Sequence, residues 1–557
     1  MLLLALARCR LRSRLQRPRR WRRCGRQPAG SRASLLAQRL VVTASASSER
    51  FPPQIRYIIG NEGCERFSFY GMRNILTPFL VTSLLVNLPE VDRPGAAKDV
   101  FHIFVIGVYF FPLLGGWIAD RILGKYRTIL YFSLLYCVGQ FCLAAFVDNL
   151  HGFYTGLALV ALGSGGIKPL VASFMGDQFD QSNKRLAKVA FDAFYWIINF
   201  GSLFASLLMP WLLREHGGMV AFGIPGVLML IATIVFWMGR RKYVDVPPPP
   251  PNLDSFMNVA RTALLARAPG EARPGLTLAV LGLLLGLAGF VFVPQVGWVS
   301  AICIAIVFAL GFGGFGTWIQ LERARGRHPD EAVDGVRAVL RILIVFALTT
   351  PFWSLFDQKA STWVLQAGGM TKPDWFEPAQ MQALNPLLVM ILIPFNNLVL
   401  YPALRKFGWE PTALRRMTTG IAFSGVSWIA AGMLQLWMDG GDAVSITWQV
   451  LPYALLTFGE VLVSATGLEF AYSQAPASMK GVIMSLWYLA VTIGNLWVLL
   501  ANASVRNAGF TAWIGSTGIS VAAFQMFFFA GFALVAALLF GLYARHYPLM
   551  ENYRPAG

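Results

Sequence analysis

The stretch YIIGNEGCERFSFYGMRNILTPFLV, residues 57–81, is long enough to cross a bilayer, since about 20 residues of helix span the hydrocarbon core. The same stretch carries Glu62, Glu65, Arg66 and Arg73. Each charge at mid-membrane costs about 2.5–3.5 kcal/mol on insertion scales. The four charges therefore predict a helix inside a larger bundle, where they line a wet cavity or pair with one another.

In a helix these charges share one face. At about 100° per residue, roughly a 140° arc contains Glu62, Glu65, Arg66, Phe69, Tyr70 and Arg73. Glu62 and Arg66 are four residues apart and can touch, and Glu65 is adjacent. A nearby arginine favours the ionised form of a carboxylate, and a second carboxylate favours the protonated form. Such opposing effects on proton affinity are typical of a proton-coupling element. The alternative is a structural salt-bridge cluster at a helix end, but Tyr70 and Arg73 extend the polar face deeper and favour coupling.

Composition places the remainder of the chain in a membrane. Of 557 residues, 56% are hydrophobic and only 13% are charged, whereas soluble domains carry about a quarter charged residues. Apolar segments near 20 residues recur, and they are too long and too evenly apolar for barrel strands. We predict an all-α membrane protein with fourteen spans from Phe51 onward.

The order of the spans predicts five parts. A basic leader covers residues 1–50, a first six-helix bundle 51–240, a proline-rich cytoplasmic linker 241–275, two uncharged extra spans 276–320, and a second six-helix bundle 337–547. Two six-span halves that face each other across a central cavity are a common transporter plan. The extra spans lack cavity-forming polar residues, so we expect them at the periphery.

The leader differs from the remainder in charge. It holds thirteen Arg, no Lys and one Glu, and so accounts for +12 of the formal net charge of +19. An organelle transit peptide has a similar composition. We favour a disordered leader or a start site assigned too early, with translation beginning near Val41 or Val42.

Loop charges predict the orientation. One side of the membrane collects basic loops such as Arg240–Lys242 and Arg415-Arg416, and the other side has Asp148 and Asp439. Lys and Arg favour the cytoplasm. We therefore predict a multi-pass protein of the cell (inner) membrane with both termini cytoplasmic.

Further ionisable residues lie inside predicted spans. Lys168 in LGSGGIKPL needs a carboxylate, and Glu460 in FGEVLVSATGLEF of the second half supplies one, so we predict an ion pair that joins the halves. Snorkelling to the interface is the alternative for Lys168. Asp357 is predicted to pair with Arg73 or His102 as an outer latch. A lone histidine at a helix start is more often a surface residue, which is the alternative for His102.

Other classes of protein fit poorly. The basic residues are spread between spans and form no single face, which argues against nucleic-acid binding. The six cysteines form no CxxC motif, so we expect neither disulfides nor a metal site. The sequence contains no HExxH, no GxSxG and no paired aspartates inside spans, and we expect no enzyme activity.

At these residues the chain resembles the proton-coupled oligopeptide transporters (POT/PTR) of the major facilitator superfamily. The family pattern ExxERFxYY corresponds to residues 62–70, with Phe69 in place of the first tyrosine. GGIKPLVASFMGDQF at 165–179 and FYWIINFGSL at 194–203 resemble further family signatures. The resemblance covers about residues 52–547, and the two extra spans resemble those of bacterial members with fourteen helices.

The resemblance implies a role for individual residues. Arg73 and Lys168 would engage the carboxylate of a peptide, and Glu460, helped by Asn199 and Asn385, its amino terminus. The further residues that it implies for the substrate site are Tyr70, Tyr109, Tyr195, Trp353, Ser485 and Trp487. The residues expected to take part in proton coupling are Glu62, Glu65, Arg66, His102, Lys168, Asp357 and Glu460.

The sequence is thus interpreted as a symporter that imports di- and tripeptides by alternating access, with protons as coupling ion and no other cofactor. Its expected partners are peptides, protons and the lipid bilayer. Protons and the substrate carboxylate would compete for an Arg73–Asp357 latch and for the Lys168–Glu460 pair. Alternatives are transport of nitrate, a drug or another metabolite on the same fold, or a receptor that binds without transporting.

Overall fold

The structure is a computed structural model that describes residues 51–180, 183–248, 252–267, 272–474 and 479–548. The basic leader at 1–50 lies outside the described residues, and its predicted character stays a prediction. The described part is built from α-helices joined by short 3₁₀ and π turns.

The first half of the chain contains six membrane-length segments. Their helices are α1 (Ile55–Phe79), α2 (Arg93–Ile118), α3 (Lys125–Ala145), α4 (Leu150–Gly165), α5 (Lys168–Gly176) and α6 (Lys184–Met238). Helix α6 turns back at Gly217, whose φ of 74° lies in the left-handed region that glycine adopts without strain. Helices α4 and α5 form one segment that breaks at Gly166–Ile167, just before Lys168 and Pro169.

A linker and a helical hairpin follow. The linker contains α7 (Phe256–Leu265), and the extra spans are α8 (Pro274–Ala288) and α9 (Val293–Gln320). Helices α8 and α9 pack closely, because Gly275 and Gly316 leave no room for a side chain between their backbones. Gln320 accepts a hydrogen bond from the Gly275 amide and donates one to the Ala263 carbonyl, which ties α7 to this hairpin.

The second half repeats the six-segment plan. Its helices are α10 (Asp330–Asp357), α11 (Thr362–Gly368), α12 (Leu384–Phe395), α13 (Tyr401–Lys406), α14 (Ala413–Asp439), α15 (Val450–Gln474), α16 (Lys480–Ser504), α17 (Ala508–Ser516) and α18 (Val521–His546). Short turns join α10 to α11 and α12 to α13 into single segments, and α17 is a loop helix between α16 and α18.

In the described residues, eleven helical stretches are long and apolar enough to cross a membrane. Two of them, 186–241 and 274–324, each contain two helices that meet at Gly217 and Gly297 respectively. Helix α1 is not among the eleven, because its charged and polar residues lower its hydropathy. If the two double stretches are each counted as two spans and α1 is added, the described residues contain fourteen segments, as predicted.

Each half has its own hydrophobic core. One buried cluster is built almost wholly from residues 55–236, and two further clusters come from residues 259–547. We call the end of the molecule at which α1 ends and α2 begins the latch end. There the halves are hydrogen-bonded: Thr77 donates to the Ala360 carbonyl over 2.9 Å, and Gln382 donates to the Asn74 carbonyl over 3.2 Å. Separate cores joined at one end permit one half to rock against the other.

Candidate functional site

The charged face of α1 begins with a buried ion-pair cluster. The residues Glu62, Glu65 and Arg66 are only 3%, 0% and 7% exposed. Arg66 Nε lies 3.1 Å from Glu62 Oε1 and also pairs with Glu65. Within the described part of the chain, Glu62 Oε2 has no hydrogen-bond partner. The helical spacing correctly indicates these contacts, and Glu62 retains an oxygen that can accept a proton.

Two turns further along α1, Arg73 forms the predicted contact with Asp357. Arg73 Nη2 lies 2.7 Å from Asp357 Oδ1, and both side chains are buried. Asn495 on α16 donates to the other oxygen, Asp357 Oδ2, over 2.8 Å. This ion pair joins α1 of the first half to α10 of the second half, so the two halves are closed at the latch end.

His102 belongs to the same network, and its alternative placement at the surface is wrong. Its side chain is fully buried. Nδ1 lies 2.6 Å from Asn495 Oδ1, which is an acceptor, so Nδ1 carries the proton and donates. Nε2 lies 2.9 Å from the Ser361 hydroxyl. His102 therefore reaches Asp357 through Asn495 and does not replace Arg73 as its partner.

Glu460 on α15 has partners other than the predicted Lys168. Asn385 Nδ2 donates to Glu460 Oε2 over 2.5 Å, and Asn385 Oδ1 accepts from Lys359 Nζ over 2.8 Å. Among the described residues, Lys168 forms no ion pair with Glu460, so the predicted pair is not formed in this conformation, in which the competing Arg73–Asp357 latch is closed. The reason is local: Lys359 lies in the same half as Glu460, and Asn385 bridges them without any movement of the halves.

Lys168 instead lies against aromatic rings of the first half. Its Nζ is 3.8 Å from the centroid of the Phe69 ring and 4.5 Å from that of Tyr109. The helix break before Lys168 sets this position. Gly165 packs directly against the backbone of Phe111, so α4 and α2 approach closely just before the chain turns into α5.

A cavity of about 170 Å³ lies between the halves. Cationic and amide groups of α1 and α6 face acidic, basic and aromatic groups of the second half across it. The residues that line it are Phe69, Tyr70, Arg73, Asn74, Tyr109, Ile198, Asn199, Ser202, Ser206, Trp353, Phe356, Asp357, Lys359, Gln382, Asn385, Pro386, Glu460 and Ser464.

Most of the predicted substrate residues line this cavity, but four do not. Trp487 is 6% exposed and packs behind Trp353, with ring centroids 5.6 Å apart and planes at 90°. Ser485 donates to the Gly481 carbonyl of its own helix. Tyr195 is 46% exposed beside Asn199, and Lys168 lies on Phe69.

Sequence reasoning missed Lys359. It stands two residues after Asp357, in the same predicted span, so its charge was an available signal. The uncharged polar residues of the lining, such as Ser202, Ser206 and Gln382, carry no comparable signal, because residues of this kind are common in membrane helices that pack together.

Two helical bundles with separate cores, a shared polar cavity and membrane-length segments define a multi-pass α-helical membrane protein with the major facilitator fold. The chain belongs to the POT family, whose model matches residues 126–512.

Similar proteins agree with this assignment. Peptide transporter 3 of Caenorhabditis elegans is 34% identical over 405 residues, which cover 69% of this chain and 51% of the relative. Solute carrier family 15 member 2 of Mus musculus is 33% identical over 412 residues, covering 70% and 50%. The chain thus spans about half the length of these relatives. The crystal structure of an auto-inhibited POT family peptide transporter is 67% identical, with a TM-score of 0.89, and the match covers 91% of this chain and 99% of that one.

Proposed function

We propose that the protein is a proton-coupled symporter that imports di- and tripeptides across the cell membrane by alternating access. Protons serve as the coupling ion, with no other cofactor. The observation that carries the proposal is the division of charge in the cavity, where Arg73 projects from the first half and Glu460 from the second. A short peptide is a zwitterion, so a cation and an acid on opposite walls fix its direction and limit its length.

The walls between these charges fit a varied peptide. Tyr70 and Tyr109 of the first half face Trp353 and Phe356 of the second. Aromatic surfaces accept side chains of different shape because they require few hydrogen bonds, while a few polar groups set the orientation. The related proteins named as peptide transporters support the same substrate class.

The transport cycle follows from the latch. Protonation of Asp357, or capture of Arg73 by a substrate carboxylate, weakens the contact that closes the latch end. The halves then rock about the cavity, and the carboxylates of Glu62 and Glu65, which pair with Arg66, couple the proton to this movement. The bilayer surrounds the bundles, and both termini lie in the cytoplasm as the loop charges indicate.

Uptake by proteoliposomes tests this proposal. Labelled dialanine should accumulate when the exterior is more acidic than the lumen, and a protonophore should abolish accumulation. Counterflow against unlabelled dialanine should persist with the protonophore, because exchange needs no net proton movement. Counterflow of nitrate or of an amine drug, with none of dialanine, would replace the peptide assignment with one of the alternatives.

A further inference from the structure

Lys168 differs from the other cations near the cavity. Arg66 and Arg73 form ion pairs with carboxylates, and Lys359 donates to the Asn385 amide. Within the described part of the chain, Lys168 forms no hydrogen bond and no ion pair. A cation inside a membrane protein is costly unless something replaces its hydration, so the surroundings of Lys168 need another explanation.

Two aromatic faces provide it. The Lys168 ammonium lies 3.8 Å above the Phe69 ring and 4.5 Å from the Tyr109 ring, well within the distance of about 6 Å over which a ring quadrupole attracts a cation. Phe69 is the closer of the two and is only 2% exposed. Its ring is fixed by edge contact with Tyr70, at a centroid distance of 5.4 Å, and by stacking on Phe104 at 6.5 Å.

We propose that Phe69 is a positioning residue that holds Lys168 in a cation–π contact, ready for the substrate carboxylate and away from the acidic side chains of the protein. The inference rests on the proposed function for the identity of the substrate. Phe69 also lies 5.8 Å from the Arg66 guanidinium, so the same ring neighbours both Lys168 and the Glu62–Arg66 cluster.

The chemistry of the side chain suits this task. The related family pattern has a tyrosine at this position, and phenylalanine presents the same aromatic face without a hydroxyl group. A hydroxyl in so buried a position requires a hydrogen-bond partner, and its oxygen would accept from the Lys168 ammonium and draw it away from the ring face. Phenylalanine therefore keeps the attraction for the ammonium and adds no polar group to be satisfied.

The effect on binding follows from populations. If Lys168 leaves the ring and pairs with an acidic residue, only the remaining fraction of molecules offers a free ammonium to the peptide. Apparent affinity falls by that fraction. Loss of a desolvated cation–π contact thus lowers affinity roughly tenfold.

The test compares Phe69→Leu with the matched control Phe79→Leu, which alters an equally buried ring of the same helix that packs on Phe153 and Phe222. Binding of dialanine and of its C-terminal amide is measured for the full chain in liposomes. Phe69→Leu should weaken dialanine binding about tenfold and leave the amide unaffected, whereas Phe79→Leu should change neither. Replacement of Phe69 by phenylalanines of increasing ring fluorination should weaken dialanine binding stepwise at nearly constant size. Equal losses for both ligands, or no dependence on fluorination, would overturn the proposal.

A second measurement needs no transport. Reductive methylation with ¹³C-formaldehyde labels Lys168, and its NMR signal is assigned by its loss in Lys168→Arg. The ring current of Phe69 should shift this signal upfield, and Phe69→Leu should remove most of the shift. An unshifted signal in the wild-type chain overturns the contact itself. Failure of the wild-type chain to bind any peptide overturns the proposed function, and the NMR result then still decides the contact.

Discussion

At the residue scale, Glu460 is the acid that faces the cavity from the second half. Its carboxylate accepts a hydrogen bond from Asn385, and Lys359 is held on the same amide. Under the proposed function, a peptide amine that enters this corner would replace the indirect contact with Lys359 by a direct one with Glu460. The Glu460 carboxylate is therefore available to a cation, and in the absence of substrate it already has a hydrogen bond from Asn385.

Glu460→Ala should weaken binding of dialanine by one to two orders of magnitude, because a charge-assisted contact contributes about 1.5–3 kcal/mol. N-acetyl-dialanine has no amine for Glu460 to hold, so its affinity should change little. Competition against a labelled peptide measures both. Equal losses for the two ligands would mean that Glu460 does not bind the amino terminus.

A substitution at Glu62 can separate proton coupling from peptide exchange. Glu62→Gln should abolish uptake driven by a pH gradient while counterflow continues, since exchange requires binding and rocking but no net proton transfer. Gln keeps the size of the side chain and leaves Arg66 paired with Glu65. Accumulation of peptide by this variant at the wild-type rate would exclude Glu62 as a proton carrier.

At the element scale, glycines determine how closely the helices of the first half pack. Gly115 on α2 lies against Gly165 of α4, and a Cβ atom added at Gly115 would overlap the Gly165 carbonyl. Gly116, the next residue of α2, has no atom within 4 Å of such a Cβ. The α2–α4 contact precedes the helix break that orients Lys168, so packing and site geometry are linked here.

Gly115→Ala should destabilise the protein, because overpacking typically costs about 1–3 kcal/mol. Gly116→Ala should be neutral or slightly stabilising, since alanine is the better helix former by roughly 0.5–1 kcal/mol. The midpoint of thermal unfolding in detergent compares the two variants. A drop of similar size in both would mean that the close approach of α2 and α4 does not limit stability.

At the scale of the whole molecule, polar contacts hold the latch end closed around the central ion pair. Asp99 on α2 pairs with Arg506, which follows α16, and Asn502 donates to the same carboxylate over 3.1 Å. On the other flank, Arg214 of the first half lies 2.9 Å from Glu377 of the second half. These contacts link separate cores, so their free energies add directly to the equilibrium between closed and open latch ends.

Asp99→Asn should raise the population with an open latch end about two- to fivefold, the effect of a partly exposed ion pair. Thr77 reports on this opening, because it is fully buried between the halves and its hydroxyl donates to the Ala360 carbonyl. In a variant with Thr77→Cys as its sole cysteine, a water-soluble maleimide should react correspondingly faster. Glu410→Gln is the control, since Arg405 and Glu410 form an exposed pair within one half. An equal rise in that variant would point to a general loosening.

The sequence by itself determined the class of fold and the chemical types of the site. A charge-poor segment of membrane length must satisfy its own backbone hydrogen bonds in lipid, and a helix does so. Charges inside such a bundle persist only if they have partners. Spacing along a single helix was sufficient for the contacts among Glu62, Glu65 and Arg66. The charge of Lys359 carried a signal of the same kind, although it was overlooked.

Only the tertiary structure decided which charges pair across elements. Lys168 and Glu460 are opposite in sign and lie in opposite halves, so the sequence favoured a pair, yet one lies on Phe69 and the other is satisfied through Asn385. His102 reaches Asp357 through Asn495. Asn495 is uncharged and belongs to no motif, so the sequence did not identify it as part of the site. The physical reason is that helical periodicity relates neighbours three or four residues apart, whereas contacts between helices depend on crossing geometry and on how far the two halves are closed.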